Sequence, residues 1–386
     1  MTSAHQRLGE PIADLRDGRG GPRTGPARGP DRAGPGSRPV VLTMSDYLAL
    51  GEHQEITAAA IGGLRGARGV PSPRAARLGT RRLADALAAH LGAASVGLCA
   101  SGWAANTAVM RAVVDPGAPV YLDVLAHVSL WEGARAAGGA TACFRHNDLD
   151  DLRQRIAAGG PGVIAVDALY GDDGSVCPLP GLADVAEETG CTLVVDETHC
   201  LGTHGDRGEG LVAALALEDR VHLRTAGLAK AFPIRAGLIA AGRPGFTDRL
   251  RYAARPAGYG SPLPPNDLAG LAAALPIVRD EGWRRERLRA VSVRVRRGLL
   301  ALGYGVGAGD SQIISLATGS EADARLLRDD LAARGVLTAA LFPTAPRPAA
   351  PGGRLRLSMH AGLTDGDVEH VLDGFAGLCD RLHMPA

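Results

Sequence analysis

Short apolar runs that alternate with helical patterns constrain the fold of this chain more than any other feature of its sequence. The runs cover residues 96–99, 120–122, 141–144, 163–166, 193–195 and 238–240. Each has the length and composition of a buried strand, and helical stretches separate them. Because parallel strands need long crossover connections, this alternation predicts a mostly parallel sheet with helices on both faces. Ligand sites on such sheets gather at strand ends.

The composition divides the chain into three parts. Residues 1–39 are rich in glycine, proline and arginine and have almost no apolar periodicity, which predicts a flexible tail. Residues 40–265 carry the alternating pattern and are expected to form a large domain. Residues 266–386 are expected to begin with one long helix, to about residue 300, that leads into a small α/β domain. The elements predicted in that domain are a helix near 321–334, strands near 336–341 and 354–358, and a helix over 365–382.

Charge and cysteine usage narrow the class of function. The formal net charge is +1, so no overall field favours nucleic acid or an anionic membrane as a partner. The six cysteines are spread singly, without a CxxC pair, which is typical of a reducing compartment. No apolar stretch approaches a membrane span, and the N-terminus lacks the apolar core of a signal peptide. We therefore expect a cytoplasmic protein that acts on small molecules.

A single lysine stands out among the basic residues. Lysine and arginine together number 42, and Lys230 is the only lysine, which leaves 41 arginines. A guanidinium serves as well as an amine for surface charge, but it essentially never deprotonates and cannot act as an amine nucleophile. Lys230 is therefore a candidate for amine chemistry, although a strongly arginine-biased composition could also leave one lysine by chance.

The neighbourhood of Lys230 favours amine chemistry. The strand over 193–195 ends in Asp196, and Lys230 follows 34 residues later (230 minus 196), among small residues that leave room for a flat cofactor. Pyridoxal phosphate (PLP) needs a lysine for its Schiff base and an acid that keeps its ring nitrogen protonated. Asp196 and Lys230 supply that pair, although a lone aspartate at a strand end is more often a turn residue or a helix cap.

Two other clusters contain residue types that are common in binding sites. The spacing of His199, Cys200 and His204 matches no usual zinc pattern, so no metal site is predicted. The segment CASGWAAN over 99–106 reads as a strand, a tight turn and the start of a helix. Backbone N–H groups at a helix start attract phosphate, although such a turn is also an ordinary connection between a strand and a helix.

Together these motifs resemble the α-oxoamine synthase family of fold-type I PLP enzymes, over about residues 41–375. The matching segments are SDYLAL at 45–50, SGWAAN at 101–106, DVLAHVS at 123–129, DETHCLGTHG at 196–205 and KAF at 230–232. The resemblance implies a large domain with a mostly parallel seven-stranded sheet, a small C-terminal α/β domain, PLP as the cofactor and a homodimer with shared active sites.

The resemblance also implies a role for each matching residue. Lys230 carries PLP as a Schiff base, Asp196 pairs with the ring nitrogen, His127 stacks on the ring and His199 contacts the phenolic oxygen. The residues expected on the phosphate are Ser101, Gly102, Trp103 and Thr225, with Ser261 reaching the phosphate of the neighbouring subunit. Arg356 is expected to clamp the carboxylate of the amino acid, since a guanidinium suits bidentate binding, and Tyr47 to contact substrate.

Some positions depart from the family pattern. Gly227 stands where relatives usually have a hydroxyl on the phosphate, and Thr225 is the residue that could compensate. Gly171 replaces a common serine, Pro233 replaces a small residue, and residues 65–80 depart from the usual glycine-rich turn. These changes cluster around the substrate, which weakens the inference that the acyl-thioester reaction is retained.

The resemblance is greatest to the autoinducer synthases that make α-aminoketones, and three hypotheses follow. In the first, a small amino acid or S-adenosylmethionine condenses with an acyl thioester and loses carbon dioxide, in signalling or secondary metabolism. In the second, the enzyme expels the sulfonium of S-adenosylmethionine and couples the unsaturated product to another electrophile. In the third, the chain is a non-catalytic partner subunit, which the presence of Asp196, His199 and Lys230 disfavours.

Overall fold

A computed structural model describes residues 38–66, 73–247, 250, 262–307, 309–342 and 352–378 of the chain. The strands are β1 Val40–Val41, β2 Ser95–Cys99, β3 Pro119–Asp123, β4 Ala140–Phe144, β5 Val163–Asp167, β6 Thr192–Asp196, β7 Leu223–Gly227, β8 Gly237–Ala241, β9 Ile313–Thr318, β10 Val336–Leu337, β11 Ala339–Leu341 and β12 Gly353–Ser358. The helices are α1 Gln54–Gly66, α2 Pro73–Leu91, α3 Gly102–Val113, α4 Val128–Ala136, α5 Leu149–Gly159, α6 Leu179–Thr189, α7 Leu211–Ala214, α8 Pro265–Asp280, α9 Gly282–Ala301, α10 Glu321–Ala333 and α11 Asp365–Phe375.

The large sheet has seven strands in the order β2-β8-β7-β6-β5-β3-β4. All neighbours are parallel except β8, which runs antiparallel to β2 and to β7. This confirms the predicted mostly parallel seven-stranded sheet. All five residues of β5 are buried, as expected for a strand covered on both faces, and this is why such strands read as continuous apolar runs. The sheet thus brings the carboxyl ends of β2, β3, β5, β6 and β7 to one edge.

The C-terminal part differs from the prediction in four places. The single helix expected over 266–300 is wrong: α8 ends at Asp280 and α9 begins at Gly282, with Glu281 between them at φ −89° and ψ 62°. Glycine disfavours a helix interior, so the break falls beside Gly282. The prediction missed β9, which pairs with β12, and it merged β10 and β11 into one strand. The last helix ends at Phe375 and not near residue 382.

The ends of the predicted domains can be compared with the structure only in part. β1 pairs in parallel with β10, so residues 40–41 lie against the C-terminal part of the chain. The division at residue 265 stays a prediction, and residues 1–37 of the expected tail lie outside the described residues. The expected turn over 65–80 is helical from Pro73 onward. In the described ranges, we find no helix with both the length and the apolarity to cross a membrane.

Candidate active site

A cavity of about 210 Å³ opens at the edge of the large sheet where the parallel strands end. Its wall includes most of the predicted site residues: Ser101, Gly102, Trp103, His127, Asp196, His199 and Lys230. They come from four separate segments that the strand order places side by side. Ligand sites of open α/β sheets lie at this edge because the loops that follow the strands can vary without disturbing the core.

Asp196 ends β6, and its carboxylate is held by two donors. Oδ1 accepts a hydrogen bond from the Thr198 backbone N–H at 2.8 Å, and Oδ2 accepts one from Asn106 Nδ2 at 2.7 Å. The residue is buried, with 3% of its surface exposed. A buried carboxylate needs such partners, and here they fix the orientation of the acid toward the cavity.

Asn106 connects this carboxylate to Ser129 and Thr225. Its Nδ2 also donates a hydrogen bond to Ser129 Oγ at 2.8 Å, and its Oδ1 accepts a hydrogen bond from Thr225 Oγ1 at 2.5 Å. Ser129 Oγ in turn lies 2.7 Å from His127 Nδ1, and the Ser129 backbone N–H also donates to that nitrogen at 3.3 Å. Both contacts make His127 Nδ1 an acceptor, so the neutral ring carries its proton on Nε2.

A second carboxyl group, Asp167, stands at the end of β5 in register with Asp196. It lines the cavity, and its Oδ2 accepts the His127 backbone N–H at 2.7 Å. Burial raises the pKa of Asp167 well above its ordinary value, and the negative charge of Asp196 raises it further. The protonated form of Asp167 is therefore favoured beside the negative charge of Asp196.

His199 is paired with Tyr47 by a hydrogen bond of 2.6 Å between Tyr47 Oη and His199 Nδ1. Burial raises the pKa of Tyr47 to about 12, so its hydroxyl keeps its proton and donates. Burial, with the charges of Lys230 and Arg356, holds the pKa of His199 well below its usual value. His199 is therefore neutral, with its proton on Nε2. Tyr47 is 1% exposed and its hydroxyl donates to His199, and its expected contact with substrate stays a prediction.

Lys230 lies three residues beyond β7 and projects its amine into the cavity. Its Nζ donates to Ser45 Oγ at 3.4 Å. Burial lowers the pKa of this amine, and the charge of Arg356 lowers it further, against a smaller opposing effect of Asp196. A larger share of neutral amine at a given pH makes Lys230 a better nucleophile and base.

Arg356 reaches the site from β12 of the small sheet. Its Nη1 donates to the Gly171 carbonyl at 2.9 Å, and its charge affects the pKa of both Lys230 and His199. Its buried Nε has no hydrogen-bond partner in the described part of the chain. An unsatisfied guanidinium N–H beside a cavity is a donor that a carboxylate ligand can use.

The start of α3 supplies donors at the opposite end of the cavity. Ser101 caps the helix by accepting the Ala104 N–H through its Oγ at 3.1 Å. In the described structure, the N–H groups of Gly102 and Trp103 meet no acceptor within the chain, as is usual for the first turn of a helix. A Cβ on Gly102 would lie 2.8 Å from Gly227 Cα, so only glycine permits this close approach of α3 to β7. The arrangement leaves a backbone cradle suited to a phosphate.

One predicted phosphate contact does not lie in this cradle. Thr225 is fully buried and its hydroxyl donates to Asn106, which argues against the expected compensation for Gly227. Ser261 lies outside the described residues.

The prediction from sequence did not assign a role to several residues that the structure places in the cavity wall: Asn106, Ser129, Asp167, Thr198 and Arg235. Asn106 is a buried polar residue on an otherwise apolar face of α3, which is the kind of signal that could have identified it. Among the described residues, no cluster of three or more His, Cys, Asp or Glu side chains is arranged to hold a metal ion.

Comparison with known proteins is consistent with this geometry. Residues 40–375 match the family described as aminotransferase class I and II. The chain is 40% identical over 288 residues to the CAI-1 autoinducer synthase of Vibrio campbellii, covering 74% of this chain and 72% of that one. It is 32% identical over 357 residues to the 8-amino-7-oxononanoate synthase of Stutzerimonas stutzeri, covering 90% of each. The solved structure of Sphingomonas wittichii serine palmitoyltransferase superposes with a TM-score of 0.82 at 25% identity, covering 90% of this chain and 89% of that one.

Proposed function

We propose that this chain, which belongs to the aminotransferase class I and II family and within it to the α-oxoamine synthases, condenses an amino acid with an acyl thioester. Its cofactor is PLP. The amino substrate in this proposal is a small amino acid or S-adenosylmethionine, and the product after loss of carbon dioxide is an α-aminoketone. The observation that carries the proposal is that Lys230 and Asp196 line one cavity, with the pKa of the amine lowered.

The residues of the cavity fit PLP. The open N–H groups of Gly102 and Trp103 would hold its phosphate, and Asp196 would hold the proton on its ring nitrogen. His127 would cover the ring, and Lys230 would hold the aldehyde carbon. When bound, PLP accepts the electrons of a substrate bond that breaks at Cα.

The remaining side chains act on the amino acid. Arg356 binds its carboxylate through the free Nε–H, and this sets which Cα bond is oriented for cleavage. Once the amino group of the substrate has replaced Lys230 on the cofactor, the freed Nζ would take the proton from Cα, and its lowered pKa leaves more of the amine in the neutral form that accepts a proton. His199 would donate from Nε2 to the phenolic oxygen of PLP, and this donor is available because Tyr47 donates to Nδ1.

The names of the relatives support the acyl-transfer reaction and a role in signalling. A CAI-1 autoinducer synthase and an 8-amino-7-oxononanoate synthase are both matched over more than two thirds of their length. We extend the proposal to a cytoplasmic homodimer in which Ser261 contacts the phosphate of the neighbouring subunit. A molar mass of one chain in solution at micromolar concentration would contradict the homodimer.

The reaction is tested by mass spectrometry on purified holoenzyme. Amino acids labelled with ¹³C at the carboxyl group, and S-adenosylmethionine, are each incubated with acyl thioesters of graded chain length. We expect labelled carbon dioxide, free thiol and an α-aminoketone in equal amounts, and none of them from Lys230→Ala. Transamination to an oxo acid, without a new carbon–carbon bond, would contradict the proposal. Methylthioadenosine released without thioester consumption would favour sulfonium elimination instead.

A further inference from the structure

One end of the cavity collects hydrogen-bond donors that have no acceptor within the described part of the chain. The N–H groups of Gly102 and Trp103 are two of them. Two side chains that the preceding proposal does not use, Thr198 and Arg235, form the cavity wall beside them. We propose that Thr198 and Arg235 bind the phosphate of PLP and complete the subsite that begins at the start of α3.

The Thr198 hydroxyl has a proton to donate. Its Oγ1 accepts the Gly227 backbone N–H at 2.8 Å, so the acceptor side of the oxygen is occupied and the O–H is left for a ligand. A Cβ on Gly227 would lie 3.5 Å from Thr198 Oγ1, which places the hydroxyl beside the bare backbone of residue 227. Gly227 in turn is the residue that Gly102 approaches most closely. Thr198 thus provides the hydroxyl that neither Gly227 nor the buried Thr225 can offer.

Arg235 provides the positive charge. It precedes Gly237 by two residues, and Gly237 is the register partner of Gly227 in the adjacent strand β8. The side chain is exposed, and its guanidinium makes no hydrogen bond or ion pair with the residues that the structure describes. The charge of Arg235 lowers the pKa of Asp267, but the burial of Asp267 outweighs this effect and raises its pKa overall. Arg235 is therefore not neutralised by a contact within the described residues.

A phosphate dianion explains why these groups occur together. Backbone N–H groups, a hydroxyl and a guanidinium are the donors that proteins use for phosphate, and charge-assisted bonds are the stronger ones. Lys230 is the only lysine and is engaged elsewhere in the cavity, so an arginine is the cation available here. This inference depends on the cofactor and not on the reaction proposed above, so either can fail without the other.

The test compares the binding of PLP with that of pyridoxal, which lacks the phosphate. Holoenzyme is stripped of its cofactor, and both dissociation constants are measured by absorbance titration for the wild type and for Arg235→Met, Arg235→Lys, Thr198→Val and Thr198→Ser. The preference for PLP over pyridoxal isolates the phosphate, because a general structural defect weakens both ligands. Arg243→Met is the matched control, since Arg243 is an exposed arginine that is not in the cavity wall.

We expect the preference for PLP to fall about tenfold to a hundredfold in Arg235→Met and about threefold to tenfold in Thr198→Val. Thr198→Ser and Arg235→Lys should retain most of it, and Arg243→Met should equal the wild type. An unchanged preference in Arg235→Met and Thr198→Val, or equal weakening of both ligands, would overturn the proposal. A raised KM for the acyl thioester with an unchanged preference would assign Arg235 to the second substrate and would also overturn it.

Discussion

The two ends of the cavity are built in opposite ways. At one end, Asp196, His127 and His199 are held by partners behind them, and those partners are Asn106, Ser129 and Tyr47. At the other end, the first N–H groups of α3 have no acceptor among the described residues. The first end is therefore oriented by the protein before any ligand arrives, and the second is completed by the ligand. Substitutions at the first end should alter chemistry and stability, and substitutions at the second should alter affinity.

The largest effect is expected for Asp196→Asn, which removes the charge that keeps the ring nitrogen protonated. We expect kcat to fall about 10²- to 10³-fold, as for the loss of a preorganised electrostatic contact, with PLP still bound. Asp167→Asn is the matched control in the adjacent strand. Because the raised pKa of Asp167 favours its protonated form, an amide resembles that form, and kcat should change less than about tenfold. Equal losses in the two variants would contradict the assignment of charge.

Asn106→Ala tests whether the first end is oriented without ligand. The substitution leaves Asp196 Oδ2, Ser129 Oγ and Thr225 Oγ1 without their shared partner. We expect the free energy of unfolding of the cofactor-free protein to fall by about 2–4 kcal/mol. The measurement is denaturant unfolding without PLP. Thr107→Ala, one residue along α3 at an exposed hydroxyl, should cost about 0.5 kcal/mol or less.

Tyr47→Phe removes the donor to His199 Nδ1 and leaves the ring packed in place. We expect kcat to fall about two- to tenfold, the value of one hydrogen bond, because the proton is no longer fixed on Nε2. Nitrogen NMR of the histidine side chains should show an unprotonated Nδ1 and a protonated Nε2 for His199 in the wild type, and a mixture in the variant. A wild-type His199 that is protonated on both nitrogens at neutral pH would refute the account of this pair.

The smallest effect is expected outside the cavity wall, at His146, which gives a baseline for the comparison. Burial lowers its pKa, but the hydrogen bond and charge of Asp123, at 2.9 Å, and the charge of Asp173 outweigh that and raise the pKa overall. A raised folded-state pKa contributes stability that is complete below the ordinary value and is lost as pH rises through the raised one. His146→Gln should therefore cost about 1 kcal/mol or less near pH 5, and less than that near pH 9. A cost that grows with pH would contradict this.

Much of the fold, and the site residues Asp196 and Lys230, were predictable from sequence because their signals are local. The apolar runs located six of the seven strands of the large sheet and did not include β7, and Asp196 follows one of these runs directly. The break at Glu281 was missed because the helical pattern continues across Gly282, and β9 was missed in the small sheet.

The partners behind the site could not be predicted in the same way, because they come from distant parts of the chain. Tyr47 and His199 are 152 residues apart, and Asn106 and Asp196 are 90 apart. The tertiary fold brings them together, and no spacing rule connects them. Thr225 is an example of an error with this cause. Its residue type suits a phosphate contact, but its position on β7 buries the hydroxyl against Asn106.

The central claim, that Lys230 holds the cofactor, is tested most directly by borohydride reduction of the yellow holoenzyme followed by digestion and mass spectrometry. The chain has no other lysine, so the N-terminal amine is the only competing site in the sequence. We predict one phosphopyridoxyl group per chain, on the peptide that contains Lys230, and none in Lys230→Ala. A group on the N-terminal peptide, or a reduced protein that carries none although PLP was bound, would contradict the account.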